Sequence, residues 1–214
     1  VESWMDQYEE GAKYNITDTC AKPLSLAELF SLAGEDRTDF MDRFFEREQT
    51  YGTIFGSEKV KKEISRLYES ISPEEILTEH GATGGNQHIF FSLIRPGDRV
   101  IAFSPSYQQF YSAPEALGAE VTVLRLRREN GYLPDLDELS QAAARGVRMI
   151  CLNNPNNPTG TLIPSDMLKD IVTIARQSGA YLFCDEVYSG VSIDGARSLS
   201  VCDLYEKGIA TGSM

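Results

Sequence analysis

The residues of this chain that could do chemistry stand at the ends of short apolar runs. Tyr181-Leu182-Phe183-Cys184 runs into Asp185-Glu186-Val187-Tyr188. Met149-Ile150-Cys151-Leu152 feeds Asn153-Asn154-Pro155-Asn156-Asn157-Pro158-Thr159-Gly160. A carboxylate behind three apolar residues is partly desolvated, and costly unless it meets a cation. A protonated pyridine nitrogen is such a cation, and Asp185 would keep that ring protonated and make it an electron sink. Tyr188 and Asn157 could hydrogen-bond a phenolic oxygen on the opposite edge of the ring. Tyr107, two residues past Pro105, offers an aromatic face for stacking. Each residue alone also suits a turn, a cap or a core. All of them at successive strand ends are hard to assign to turns.

A second feature belongs with these. Gly81-Ala82-Thr83-Gly84-Gly85 reads as a loop joining a strand to a helix, where main-chain N–H groups can cradle a phosphate. It is neither GxGxxG nor a GK[ST] nucleotide loop, and glycines at such a corner are often simple turn chemistry.

The elements that must position these residues alternate along the chain. Val60, Ile64, Leu67 and Tyr68 recur at helical period behind the glycine-punctuated Tyr51–Gly56. Ser72-Pro73-Glu74-Glu75 turns into an expected strand, Ile76–Thr78. A helix through Phe90-Phe91 and Leu93-Ile94 follows, then the turn Pro96-Gly97-Asp98. Strands are expected at Arg99–Phe103, Glu120–Leu126, Val147–Leu152, Tyr181–Cys184 and Gly208–Thr211. Helices are expected over Pro105–Leu117, after Asp135 with Glu138 completing a capping box, and from a Ser165 cap to Gly179, burying Leu168, Ile171, Val172 and Ala175. Such alternation gives a parallel or mostly parallel sheet covered on both faces, and its ligands bind outside the carboxyl ends of the strands. Residues 1–50 carry helical spacings at Trp4, Met5 and Tyr8 and at Leu26, Leu29 and Phe30, and read as an arm packing on a partner or on the main domain.

Composition narrows the function. The 214 residues are 42% hydrophobic and 24% charged, with 20 basic and 32 acidic residues and a net charge of −12. An acidic chain without a basic stripe argues against nucleic acid. No apolar run approaches a membrane span and no signal peptide opens the chain. Cys20, Cys151, Cys184 and Cys202 form no CxxC pair, and no metal-ligand set is visible. Buried reduced thiols and a cytoplasmic location are expected. Val1 is not an initiator residue, so the start reads as trimmed or processed.

With these residues in hand, the chain resembles the fold-type I pyridoxal-phosphate enzymes, aminotransferase class I and II, over roughly residues 50–214. The resemblance is carried by Asn157-Pro158-Thr159-Gly160, Asp185-x-x-Tyr188, Pro105-x-Tyr107 and Gly81-Ala82-Thr83-Gly84. It implies a three-layer α/β/α fold, with residues 1–50 as an N-terminal helical arm and residues 51–214 as the cofactor-binding large domain. It implies that Ala82, Thr83 and Gly84 bind the phosphate of pyridoxal 5'-phosphate and that Tyr107 stacks on its ring. Asn157 and Tyr188 would bond the ring oxygen, and Asp185 would pair with the ring nitrogen. Ser213 would bind the phosphate, and Tyr51 would reach the phosphate of the partner subunit in a homodimer. An amino acid and a 2-oxo acid are the implied substrates.

One departure matters. The Schiff-base lysine of the family should follow Ser213, and the sequence stops at Met214. Lys13, Lys22, Lys59, Lys61, Lys62, Lys169 and Lys207 stand in no matching context. The arginine beyond that lysine and the C-terminal small domain are not in the sequence either. The chain therefore reads as an N-terminal fragment, inactive alone. A lyase, cyclase or decarboxylase of the same fold remains open, as does a non-catalytic regulatory domain that binds the same cofactor. The second would be favoured by a basic helix-turn-helix, which residues 1–50 do not show.

Overall fold

The computed structural model describes residues 2–9, 11–14, 22–191 and 198–213; Val1, Cys20 and Met214 lie outside them. The chain divides into two units, Val1–Tyr51 and Gly52–Met214.

Helices α1 (Glu2–Tyr8), α2 (Leu26–Ala33) and α3 (Arg37–Glu46) make up the first unit. Ser25 is the N-cap of α2: its side chain accepts from the Glu28 N–H, and the Glu28 carboxylate accepts from the Ser25 N–H, 2.8 Å away. This reciprocal box satisfies two main-chain donors that the first helical turn leaves over. Phe30 of α2 and Phe40 of α3 meet edge to face at 5.0 Å.

In the second unit a sheet runs in the order β2-β1-β3-β4-β5, every neighbouring pair parallel. Its strands are β1 (Arg99–Ser104), β2 (Glu120–Arg125), β3 (Met149–Asn153), β4 (Tyr181–Asp185) and β5 (Gly208–Thr211). The helices are α4 (Glu58–Ser65), α5 (Gly81–Leu93), α6 (Gln109–Ala116), α7 (Leu136–Ala143), α8 (Ser165–Ser178) and α9 (Val201–Leu204). Side chains alternate across a strand, and the core divides accordingly. Val100, Ala102, Met149, Cys151 and Phe183 pack with Phe90 of α5 and Phe110 of α6. Ile101, Phe103, Ile150, Leu152, Leu182 and Cys184 pack on the opposite face with Leu139 of α7, Leu168 and Ile171 of α8 and Val201 of α9. The result is three layers, α/β/α.

Several local expectations are corrected. Ile76–Thr78 is not a strand. A 3-10 turn at Pro73–Glu75 precedes irregular backbone, and Leu77 is exposed, so this run has no neighbour to pair with and no second buried position. The glycine-rich segment is not a loop before α5 but its first turn, since α5 begins at Gly81. The expected helix over Pro105–Leu117 is shorter and starts at Gln109, leaving Tyr107 on a connector at the strand end. Asp135 caps α7 by accepting from the Asp137 and Glu138 N–H groups. The Glu138 carboxylate, however, turns to Arg127 at 2.7 Å instead of closing a box. Pro164, not Ser165, holds the N-cap position of α8, whose buried stripe is the expected Leu168, Ile171, Val172 and Ala175.

Candidate functional site at the carboxyl ends of the strands

Register brings the polar strand ends together. Asn153 of β3 lies beside Asp185 of β4, and Asp185 beside Thr211 of β5. Counting by two from Phe183, Asp185 falls on the face that packs against α5 and α6. A short strand that ends in a carboxylate thus delivers that group to the mouth of the sheet, behind a closed apolar layer.

Asp185 is 4% exposed. Its Oδ2 accepts from Asn86 Nδ2 at 3.0 Å and its Oδ1 from the Val187 N–H at 3.0 Å. Burial pushes the carboxyl above its usual range, and the bonds from Asn86 and Val187 pull the other way. A carboxylate held there accepts two donors, and a cation would complete its partners.

Asn86 is wholly buried in α5. Its Nδ2 also donates to Gln109 Oε1 at 3.1 Å, and its Oδ1 accepts from Thr211 Oγ1 at 2.7 Å. Gln109 Nε2 in turn donates to the Thr83 carbonyl at 3.0 Å. Thr83 Oγ1 and the Tyr107 hydroxyl are 3.4 Å apart. The first turn of α5, the Tyr107 connector and Asp185 are therefore tied into one network. Gly85 permits the close seat of α5 on β5: a Cβ there would meet Thr211 Cγ2 at 3.3 Å. His80 at the N-cap position makes no side-chain capping bond, and no acid stands in the first turn. The N-terminal N–H groups of α5 are thus left without a side-chain cap, a setting that suits an anion.

The second predicted pair also forms. Asn157 Nδ2 donates to the Tyr188 hydroxyl at 3.4 Å. Asn153 organises this side, since its Oδ1 accepts from the Asn157 N–H at 2.6 Å and its Nδ2 donates to the Asp185 carbonyl at 3.0 Å. Neighbouring it is the point where strand order reverses, between β1 and β3. Those strands pair only at Val100↔Met149 and Ile101↔Ile150 and then part. Asn156 bridges the gap by donating to the Pro105 carbonyl at 3.1 Å. A parallel sheet opens its ligand crevice at such a reversal.

Tyr51 belongs to the first unit and is fully exposed. Ser213 is exposed just past β5. Lys207, the lysine nearest Ser213 in sequence, donates to the Gly179 carbonyl at 2.9 Å and lies over the Tyr181 ring at 5.8 Å. Both partners mark the amino end of β4, the rim opposite Asp185. Lys169 pairs with Asp166 at 3.6 Å on α8.

Four residues that the sequence reading did not single out shape this rim: Asn86, Gln109, Thr211 and Glu186. A signal existed for Asn86, because it sits one turn before Phe90 on the apolar face of its helix. Glu186 is buried, and its Oε1 accepts from Ser200 Oγ at 3.0 Å and the Val201 N–H at 3.1 Å. Burial raises its carboxyl to about 7. The Tyr68 hydroxyl, desolvated and near Glu186, rises to about 12. Cys151, Cys184 and Cys202 are free thiols. Burial raises all three, most strongly Cys151 and Cys184, so they are poor nucleophiles. Among the described residues no helix is long and apolar enough to cross a membrane.

Comparisons with known proteins identify the family. The family model for aminotransferase class I and II matches residues 41–213. An LL-diaminopimelate aminotransferase of Syntrophobacter fumaroxidans is 34% identical over 130 residues, covering 61% of this chain and 34% of that protein. An aspartate aminotransferase of Thermotoga maritima is 30% identical over 135 residues, 63% of this chain and 36% of that protein. The chain thus spans little more than a third of the length of these curated relatives. Among solved structures, a PLP-dependent aminotransferase from Streptococcus suis superposes with a TM-score of 0.94 at 43% identity, over 99% of this chain and 56% of that one. N-succinyldiaminopimelate aminotransferase from Mycobacterium tuberculosis gives 0.82 at 25% identity, over 99% and 56%. A rim of asparagine, aspartate and tyrosine on a parallel sheet, matched over most of the chain by one family model, leaves one conclusion: the chain belongs to the class I and II aminotransferases.

Proposed function

We propose that this chain supplies the cofactor-holding part of a pyridoxal 5'-phosphate-dependent aminotransferase that moves an amino group from an amino acid to a 2-oxo acid. The observation that carries the proposal is the buried Asp185 carboxylate, tied through Asn86 and Gln109 to the Thr83 carbonyl in the uncapped first turn of α5. One end of that network suits a ring cation and the other a phosphate, so the donor set fits this cofactor. When bound, the cofactor supplies an electron sink for a substrate carbanion.

The chain's own groups do the rest in this reading. Ala82, Thr83 and Gly84 bind the phosphate with main-chain N–H groups and the Thr83 hydroxyl, with Ser213 as a further donor. Tyr107 covers one face of the ring and keeps water from it. Asn157 and Tyr188 donate to the ring oxygen and hold a proton near it. Asp185 holds the proton on the ring nitrogen, as a buried carboxylate does most strongly when its partner is a cation. Tyr51 acts from the partner subunit of a homodimer, residues 1–50 form an arm and residues 51–214 the cofactor domain, in a cytoplasmic enzyme.

Equilibrium dialysis against pyridoxal 5'-phosphate tests the reading. Specific binding weakened at least tenfold by Asp185→Ala is expected; equal binding by both proteins would refute it. In the enzyme carrying this domain, 2-oxo acid should form in step with amination of an acceptor acid.

A further inference from the structure

We propose that Asn86 is the positioning residue for Asp185: its carboxamide, oriented by Gln109 from the Thr83 carbonyl, holds the Asp185 carboxylate ionised and fixed in rotation. The consequence for catalysis rests on the cofactor reading above; the geometry does not.

The orientation follows from a chain of obligatory roles. A main-chain carbonyl can only accept, so the Gln109 atom 3.0 Å from Thr83 O is the amide nitrogen. Gln109 Oε1 then faces Asn86, and it too can only accept. The Asn86 atom at 3.1 Å from it must be Nδ2, which turns Asn86 Oδ1 toward Thr211 Oγ1 at 2.7 Å. The remaining Nδ2 hydrogen has one direction left, and Asp185 Oδ2 accepts it at 3.0 Å. Every polar atom of a fully buried side chain is used, with no alternative rotamer that keeps all the bonds.

This arrangement acts on Asp185 in two ways. A neutral carboxamide offering N–H stabilises the ionised carboxylate where burial alone would neutralise it. Oδ1 is held separately by the Val187 N–H, so the plane of the carboxylate is clamped from both sides. An isosteric exchange of amide for carboxyl reverses the first effect and preserves the volume. The exchange would leave the buried network half-satisfied, which is costly, so the polarity of the amide matters more than its size.

The test is a carboxyl-carbon NMR titration of aspartate-labelled protein, with the Asp185 resonance assigned by its loss in Asp185→Asn. Glu186 and Cys184, the titratable neighbours that feel the Asp185 charge, are silent in such a sample. Asn86→Asp is expected to raise the Asp185 midpoint by at least one pH unit and to weaken pyridoxal 5'-phosphate binding tenfold or more at pH 8. Ile171→Ala, a cavity on the other face of the sheet, destabilises the protein without moving the midpoint. If Asn86→Asp fails to fold, Gln109→Leu reads the same relay from its less buried end and should raise the midpoint as well. An Asp185 midpoint unmoved in Asn86→Asp, or in Gln109→Leu where that variant stands in, overturns the proposal. A midpoint shifted by the variant, together with a wild-type protein that binds no cofactor, upholds the positioning role and removes the cofactor reading instead.

Discussion

Asn86 and Asp185, 99 residues apart in the chain, are joined by a 3.0 Å hydrogen bond inside the protein. The bond links the helix that opens at the glycine-rich turn to the strand end that carries the buried acid. Removing the acid should therefore cost stability as well as function. Asp185→Ala leaves a buried Asn86 N–H without its acceptor, which costs about 1–3 kcal/mol. Asp185→Asn keeps the volume and is expected to cost less. Urea denaturation of both variants checks the order, and equal losses would contradict it.

Tyr107 separates stacking from hydrogen bonding. Tyr107→Phe removes only the hydroxyl near Thr83 Oγ1 and should change cofactor affinity by less than about threefold. Tyr107→Ala removes the ring face, with an expected loss of about 1 kcal/mol or more, near tenfold with desolvation added. Dialysis of the two variants decides whether the ring or the hydroxyl matters.

Glu186 makes stability depend on pH. Its folded pKa is about 7, against an ordinary carboxyl value of 4.5. Between those values the folded protein keeps a proton that the unfolded chain has lost, so stability falls as pH rises from about 4.5 to 7. The cost above pH 7 is about 3.5 kcal/mol at most, since each unit is about 1.4 kcal/mol. Glu186→Gln keeps an oxygen for Ser200 and Val201 and cannot ionise. It should flatten the stability profile and be more stable than wild type at pH 8 but not at pH 4. Identical slopes in chemical denaturation at these pH values would contradict this account of Glu186.

Much of the layer order is legible in sequence because burial repeats with the period of each element. Leu168, Ile171, Val172 and Ala175 mark one stripe of α8, and Met149–Leu152 is apolar throughout because both faces of β3 are covered. Asp185 is legible because a charge after three apolar residues has few cheap explanations. Asn86 carries a weaker signal, its place one turn before Phe90 on the apolar face of α5, and the partner that gives it meaning is distant in sequence. Ile76–Thr78 misleads for a related reason: three residues carry too little periodicity to reveal that no strand lies alongside. The glycine-rich turn reads as a loop because glycine is a poor helix former, yet packing against Thr211 favours it there.

Lys207 is fixed at the amino end of β4 by Gly179 and Tyr181. The 214-residue chain supplied with cofactor, an amino acid and a 2-oxo acid is expected to give no turnover above that of free cofactor. Product formation that disappears in Lys207→Ala would show that this placement of Lys207 is wrong.

The cofactor reading is tested most directly by a crystal structure of the protein soaked in pyridoxal 5'-phosphate. The account predicts the phosphate at the main-chain N–H groups of Ala82, Thr83 and Gly84 and the ring nitrogen at the Asp185 carboxylate. A phosphate bound elsewhere, or a ring turned so that its nitrogen faces away from Asp185, would contradict it.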